Sequence, residues 1–193
     1  MNTYRSLISA VLMTIVTTVL LGLIYPLAIT AIAQIAFPDQ ANGQLVQRHG
    51  VTVGSRIIGQ GFSARGYFRP RPSATTTPYD AANSAGSQLG PTNKKLIDAV
   101  RAHVAAARKE NPGAPVPIDL VTASASGFDP HISPAAAEFQ VPRVARERGL
   151  AEDQIRRLVS AHTEGRQLGF LGEPRVNVLE LNLALDRAKP MTP

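Results

Sequence analysis

Between Ser6 and Pro38 the chain carries no Asp, Glu, Lys, Arg or His, and Leu, Ile, Val, Ala and Thr dominate it. About 20 apolar residues in a helix cross the hydrocarbon core of a bilayer, so this run suffices for one span and is too short for two with a turn. A cleaved signal peptide is an alternative, because Ala31-Ile32-Ala33 offers a small-x-small site, although the apolar core of such a peptide has only about 7–15 residues. A buried helix of a soluble protein is another, but it would show a polar face and none is visible. The reading adopted is a membrane anchor over residues 1–38 and one extramembrane domain over residues 39–193.

Within the span, Ala10, Thr14, Thr18 and Gly22 fall four apart. That spacing keeps them near one face of a helix, where small side chains let a partner helix approach closely. Leu12, Val16, Val19, Leu23 and Leu27 lie largely away from this stripe and suit lipid. Pro26 removes a backbone donor and predicts a kink beyond Tyr25. The small-residue stripe is the candidate partner-helix face.

Behind the anchor the pattern becomes mixed. β-Branched pieces at Val51–Val53 and Arg56–Ile58 predict short strands, and residues 70–91, dense in Pro, Ser, Thr, Gly and Asn, predict a loop. Thr92 or Asn93 then caps a helix whose Leu96, Val100, Val104 and Ala107 share a face, stopped by Asn111-Pro112-Gly113. Ile118–Val121 after Pro117 predicts a strand. Ser133-Pro134 starts a helix that breaks or kinks at Pro142 and ends at Gly149. A second helix from Glu152 to His162 buries Ile155, Leu158 and Val159; Ala151 at its cap position loses about 1 kcal/mol against Ser. Leu179, Leu181, Leu183 and Leu185 alternate with Glu180, Asn182 and Ala184, which predicts a half-buried strand. The fold class expected is α+β, one transmembrane helix followed by a single mixed domain.

The formal net charge is +6 over 193 residues, and there is no cysteine. Such a charge favours acidic partners or anionic headgroups. No basic run is long, however, and the arginines from Arg143 to Arg157 alternate with Glu147, Glu152 and Asp153, which predicts a solvated helical face. Cysteine absence fits either side of a membrane. On the short N-terminal side of the span stand the amino group and Arg5. The other side begins with Asp39 and has no basic residue until Arg48, so the charge bias favours an inside N-terminus and an outside domain.

Catalytic patterns are sparse. No P-loop sequence and no His-x-x-x-His pair occurs, and His49, His103, His131 and His162 are scattered. Residues 122–127 lie near Asp129 and His131, which suggests a serine hydrolase. A nucleophile elbow needs Gly two residues before its Ser, though, and Ser124 occupies that place relative to Ser126. The plainer reading is a tight turn whose Ser and Asp side chains satisfy backbone donors. Ser84–Gln88 is a small-residue loop able to approach a phosphate. Val144–Leu150 followed by Ile155–Val159 has the helix, Gly turn, helix order of a DNA-reading motif, yet acidic residues open its second helix.

Several segments together resemble one family. They are Gly54-Ser55-Arg56, Tyr67–Ala74, Leu89–Asn93, Asp119–Ser124 continuing to Gly127–Ala136, Gly169–Leu179, and Leu181–Asp186. In this order, behind one span, they resemble the C subunit of the Kdp potassium-transporting ATPase, the KdpC family. Ala125 and Ala85 depart from glycines usual there, and Ala85 weakens the phosphate idea. The resemblance implies a subunit of a bacterial inner-membrane pump. Its partners would be a channel-like potassium-binding subunit and a P-type ATPase subunit, with potassium as the transported ion and no nucleic acid. It also implies a catalytic chaperone that raises the ATP affinity of the ATPase subunit, with no catalytic residue, metal or firmly bound cofactor of its own. Direct ATP contact conflicts with an outside domain. Ser124, Ser126, Asp129 and His131 are the candidate subunit-contact residues. The second reading, a membrane-tethered DNA-binding regulator, requires the domain inside.

Overall fold

The computed structural model describes residues 3–48 and 50–191. His49 lies outside them. The chain separates into two compact units, one ending at Leu45 and the other beginning at Val46.

The first unit is dominated by one helical run, Thr3–Ala36, apolar and long enough to cross a membrane, with none of its most hydrophobic window buried in the protein. It comprises α1 (Thr3–Val19), a π-helical turn (Leu20–Ile24) and α2 (Tyr25–Ala36). Pro26 explains the π turn. Its missing N–H and its ring disrupt the regular ladder one turn back, and the Tyr25 N–H reaches the Leu20 carbonyl, five residues behind it. Thr14 donates its hydroxyl to the Ala10 carbonyl (2.9 Å) and Thr17 to that of Met13 (2.8 Å), so both satisfy themselves within the helix. A one-turn helix, α3 (Pro38–Ala41), follows.

The second unit combines a two-stranded ribbon, β1 (Leu45–Arg48, from Val46 on in this unit) with β2 (Val51–Ser55), and a small sheet packed on helices. The Arg56–Ile58 piece is a turn closed by a single Ser55–Ile58 bridge, not a strand. Helix α4 (Lys94–Glu110) is capped by Asn93, whose side chain accepts from the Lys95 N–H at 2.9 Å. Its half-buried face carries Leu96, Val100, Val104 and Ala107. The strand expected at Ile118–Val121 is instead a 3₁₀ turn, Ile118–Leu120. Asp119 accepts there from the Ser133 N–H (2.7 Å) and hydroxyl (3.1 Å), a tie that an extended conformation does not need.

Strand β3 (His131–Ile132) leads into α5 (Pro134–Arg148), capped by Ser133 and ended by Gly149 in the left-handed conformation. Pro142 sits inside α5 without breaking it. Helix α6 (Glu152–Ala161) buries Ile155 and Val159 and leaves Leu158 half-buried. Ala151 has no acceptor side chain, but Gln154 accepts from the Ala151 N–H at 3.1 Å and supplies half of a capping box. Then β4 (Thr163–Glu164) and β5 (Arg175–Asn177) complete an antiparallel sheet ordered β3-β5-β4, with His131 opposite Asn177 and Thr163 opposite Val176.

The predicted last strand is helix α7 (Val178–Ala188). Asn177 caps it by accepting from Glu180 N–H at 3.1 Å. Val178, Leu181, Asn182, Ala184 and Leu185 are buried while Leu183 is only half-buried, the pattern of a helix face rather than a pleat. Phe68, Ile132, Val141, Val144, Ile155, Val176, Val178, Leu181 and Leu185 make one core.

The arginines of α5 are a second correction. Arg143 and Arg148 are 3% and 4% exposed, so they do not form a solvated face. Arg143 donates to Glu110 (2.7 Å), to the Tyr67 carbonyl (2.9 Å) and to the Arg65 carbonyl. Arg148 donates to the Gly66 and Lys189 carbonyls (2.8 and 2.7 Å), pairs with Asp186 (2.9 Å) and lies 4.6 Å from the centre of the Tyr67 ring. Asn182 takes the Phe68 N–H and gives to the Phe68 carbonyl, both at 2.9 Å.

Removing either set strands buried polar groups. Arg148→Ala is expected to cost about 3 kcal/mol, because the Gly66 and Lys189 carbonyls lose their donor and Asp186 loses its buried charged partner, keeping only the Tyr67 hydroxyl and Arg48. Asn182→Leu should cost about 1–3 kcal/mol through the unpaired Phe68 amide and carbonyl. Denaturant unfolding of the full chain in detergent measures both. Losses under about 0.5 kcal/mol would mean that the Gly66–Phe68 backbone finds other partners.

Candidate functional site

The turn between the 3₁₀ segment and α5 gathers most of the polar residues singled out from sequence. Gly127 has φ +83°, a conformation costly for any other residue, and a Cβ there would come within about 3.0 Å of the Ala85 carbonyl. Its N–H donates to the buried Ser124 hydroxyl at 2.8 Å. Ser126 Oγ accepts from the Phe128 N–H (3.3 Å), and Asp129 Oδ1 from the His131 N–H (3.0 Å). These are the bonds of a self-satisfied turn. No hydrogen bond joins Ser126 to His131 or Asp129, and the hydrolase arrangement is not formed.

Two other segments hold this turn. Ser124 N–H donates to the Pro72 carbonyl (2.9 Å), and Ala85 N–H and the Ser84 hydroxyl both reach the Ser126 carbonyl (3.1 Å each). Gly59 N–H donates to the Phe128 carbonyl at 2.7 Å. The loop Ser84–Gln88 is therefore packed on the turn: a Cβ on Gly86 would sit 2.9 Å from the Ala125 carbonyl. Arg71 anchors the assembly by pairing with Asp129 at 3.1 Å, and the Tyr79 hydroxyl donates to the Arg71 carbonyl. Burial, and after it the Asp129 charge, push the Tyr79 phenol well above its ordinary pKa, so it stays a donor. The sequence reading missed Arg71 and Tyr79 as organisers; the Arg69-Pro70-Arg71-Pro72 run was the available signal.

His131 is partly exposed, its side chain 26% accessible beside 30% for Asp129. Its Nδ1 lies 3.8 Å from Asp129 Oδ1, beyond hydrogen-bond reach. Burial first, and then Arg175, lower its pKa below 6.5, against weaker opposition from Asp129, Glu164 and Glu180. The ring is neutral at pH 7. It lines a shallow depression of about 270 Å³ with Arg71, Asp119, Asp129, Ser133 and Arg175. His103 and His162 sit elsewhere, with Nδ1 against the Val121 (3.2 Å) and Leu158 (2.9 Å) carbonyls. Among the described residues no group of three His, Cys, Asp or Glu is arranged to hold a metal ion.

In the span, Ala10, Thr14, Thr18 and Gly22 are not covered by other residues of the chain, and the nearest atom to a Cβ built on Gly22 is Thr18 Cγ2 at 3.9 Å. The helix pair proposed for DNA reading gains no support. Arg143 and Arg148 are buried, and Arg156 is held by Glu138, Glu152 and Asp153 at 2.7–3.0 Å.

These features define an α+β domain carried behind one candidate membrane span. The KdpC family, described as the c chain of K⁺-transporting ATPases, matches residues 7–187. The chain is 62% identical over 187 residues to the potassium-transporting ATPase KdpC subunit of Koribacter versatilis, with 97% of each chain covered. It is 60% identical over 183 residues to that of Sorangium cellulosum (93% of this chain, 96% of the relative). To that of Rhodopseudomonas palustris strain BisB18 it is 57% identical over 192 residues (93% and 96%). The chain belongs to the KdpC family and is a subunit type of the Kdp potassium-transporting ATPase.

The depressed pKa of His131 has a linkage consequence. Around pH 6.5 the unfolded chain binds this proton more readily than the folded one, so stability rises with pH there. Acidification from pH 7.5 through 6.5 towards the lower folded value should therefore lower the Tm, and His131→Asn should flatten that part of the profile. An identical slope in both proteins would assign the effect to other groups.

Proposed function

We propose that the chain is a non-catalytic subunit of an ATP-driven, high-affinity potassium uptake complex, assembling with a channel-like potassium-binding subunit and a P-type ATPase subunit. In this reading it acts as a catalytic chaperone that raises the ATP affinity of the ATPase subunit. The observation that carries the reading is a family match across nearly the whole chain, joined to a single 34-residue apolar helix at the N-terminus. Residues 1–38 serve as the anchor and residues 39–193 as the working domain.

Arg5 before the span against Asp39 after it supports an inside N-terminus and an outside domain. From that side the domain does not touch cytoplasmic ATP, so its effect on nucleotide affinity is indirect and passes through helix packing and subunit contact. Ala10, Thr14, Thr18 and Gly22 form the partner-helix face. Thr14 suits that role, because its hydroxyl is already used within the helix and its methyl can pack. In the turn, Ser124, Ser126 and Asp129 present the segment and His131 makes the contact.

A reporter active only outside the cytoplasm, fused after Pro193, should be active; activity of a cytoplasm-only reporter instead would reverse the orientation. Gly22→Leu should lower recovery of the assembled complex in detergent pull-down more than Leu23→Ala does, because close helix approach needs the small residue. Equal recovery would remove the stripe from the interface. The purified chain alone should hydrolyse no ATP. Turnover abolished by Ser126→Ala or His131→Ala would overturn the non-catalytic reading.

A further inference from the structure

Beyond β4 the chain runs out into a ten-residue hairpin loop before returning as β5, and at its tip three large apolar side chains face solvent. Leu168, Phe170 and Leu171 are 82%, 69% and 47% exposed. This exposure is built in. Gln167 and Leu171 exchange two backbone hydrogen bonds of 2.9 Å, Gly169 N–H reaches the Arg166 carbonyl (3.2 Å), and Phe170 N–H that of Gln167 (3.2 Å). Leu168 holds φ +52° and Gly169 φ +82°. A solvent turn with two such residues takes Asn or Gly at the first of them, where a leucine is strained. Here a bulky apolar side chain occupies the strained position and gains no burial within the chain.

The surroundings of the tip choose its occupant. Arg166 pairs with Glu173 at 2.7 Å and Arg175 with Glu164 at 2.9 Å, so the base of the hairpin neutralises its own charges. Docking on an anionic bilayer surface draws on basic side chains free to meet headgroups. These two arginines are engaged. Protein interfaces instead take an apolar core, enriched in aromatic residues such as Phe and depleted of charge, inside a polar rim. The hairpin arm is also continuous with the His131 depression, since Glu173, Pro174 and Arg175 line its wall.

We infer that Leu168, Phe170 and Leu171 form a preorganised knob that seats in an apolar, uncharged depression on another subunit of the same pump. The inference rests on the subunit reading above and names the surface through which the domain is held. It makes the hairpin the apolar anchor of the interface and the neighbouring turn its polar flank.

The full chain, co-expressed with the other pump subunits, tests this. Leu168→Ser combined with Phe170→Ser should lower recovery of the complex about tenfold, while the Tm of the full chain in detergent stays at the wild-type value because neither side chain is packed. Wild-type recovery of the variant would overturn the knob and leave the subunit reading intact. Failure of the wild-type chain itself to co-purify would instead remove the subunit reading. A photoreactive phenylalanine analogue in place of Phe170 should cross-link to a larger pump subunit. Adducts only with lipid, or only with a second copy of this chain, would overturn the proposal.

Discussion

Residues 65–69 cross the domain with no neighbouring strand, and buried side chains from α5 and α7 take the place of one. Arg143 donates to the carbonyls of residues 65 and 67 and Arg148 to that of residue 66. Asn182 satisfies both polar groups of the Phe68 backbone, and Gln140 those of Arg69, accepting at 2.8 Å and donating at 3.1 Å. Backbone groups buried without partners are costly, so the position of this segment and the orientation of both helices determine one another. Phe68, fully buried, drops between them into the core. Glu110 ties α4 to the same assembly by accepting from Arg143 at 2.7 Å and Arg69 at 3.2 Å. Burial lowers the Arg143 pKa from its ordinary value while Glu110 opposes the shift, and the guanidinium stays charged at physiological pH.

From this segment the constraint passes to the candidate site. Two residues after Arg69, Arg71 fixes Asp129, and one further on the Pro72 carbonyl receives the Ser124 N–H. The turn is thus referenced to the core by backbone and by charge. Ser124 and Asp129, which from sequence look available for chemistry, are occupied in holding shape. Among the candidates for recognition, the partly exposed His131 ring, the apolar hairpin tip and the exposed N-terminal apolar helix are not used in this way.

Local signals were legible in the sequence. Ser133-Pro134, Asn93 and Gly149 act within a few residues of themselves, and the helices they bound follow directly. The apolar run and the internally bonded Ser-Asp turn were legible for the same reason. What failed depends on partners far along the chain. The alternating leucines of α7 fit a strand until Asn182 and Ala184 are known to be buried, and Asn182 is buried because Phe68, 114 residues away, needs it. Arg143 and Arg148 look like surface charge because their carbonyl partners lie some 80 residues earlier. The 3₁₀ turn at Ile118–Leu120 is held by Asp119 reaching Ser133 across the site. The hairpin tip was visible as a motif, but apolar residues in a Gly-rich stretch do not reveal whether they point inward.

The same distinction alters what the net positive charge means. Arg48 and Arg148 share Asp186, Arg56 pairs with Glu180, Arg65 with Glu147, and Arg69 and Arg143 share Glu110. Arg143 and Arg148 are buried donors whose rigid forks meet carbonyls and carboxylates, and the others meet their carboxylates at the surface. Such charge exerts little field at a distance, because its counter-charge lies beside it. The lysines behave differently: Lys94, Lys95 and Lys109 stand at the two ends of α4, where only Asp98 is close enough to answer Lys94. A basic composition would suggest a nucleic-acid or headgroup surface, yet many of its arginines have a carboxylate beside them. The apolar hairpin tip is different in kind, because Leu168, Phe170 and Leu171 carry no charge and suit burial against protein more than attraction to a polyanion.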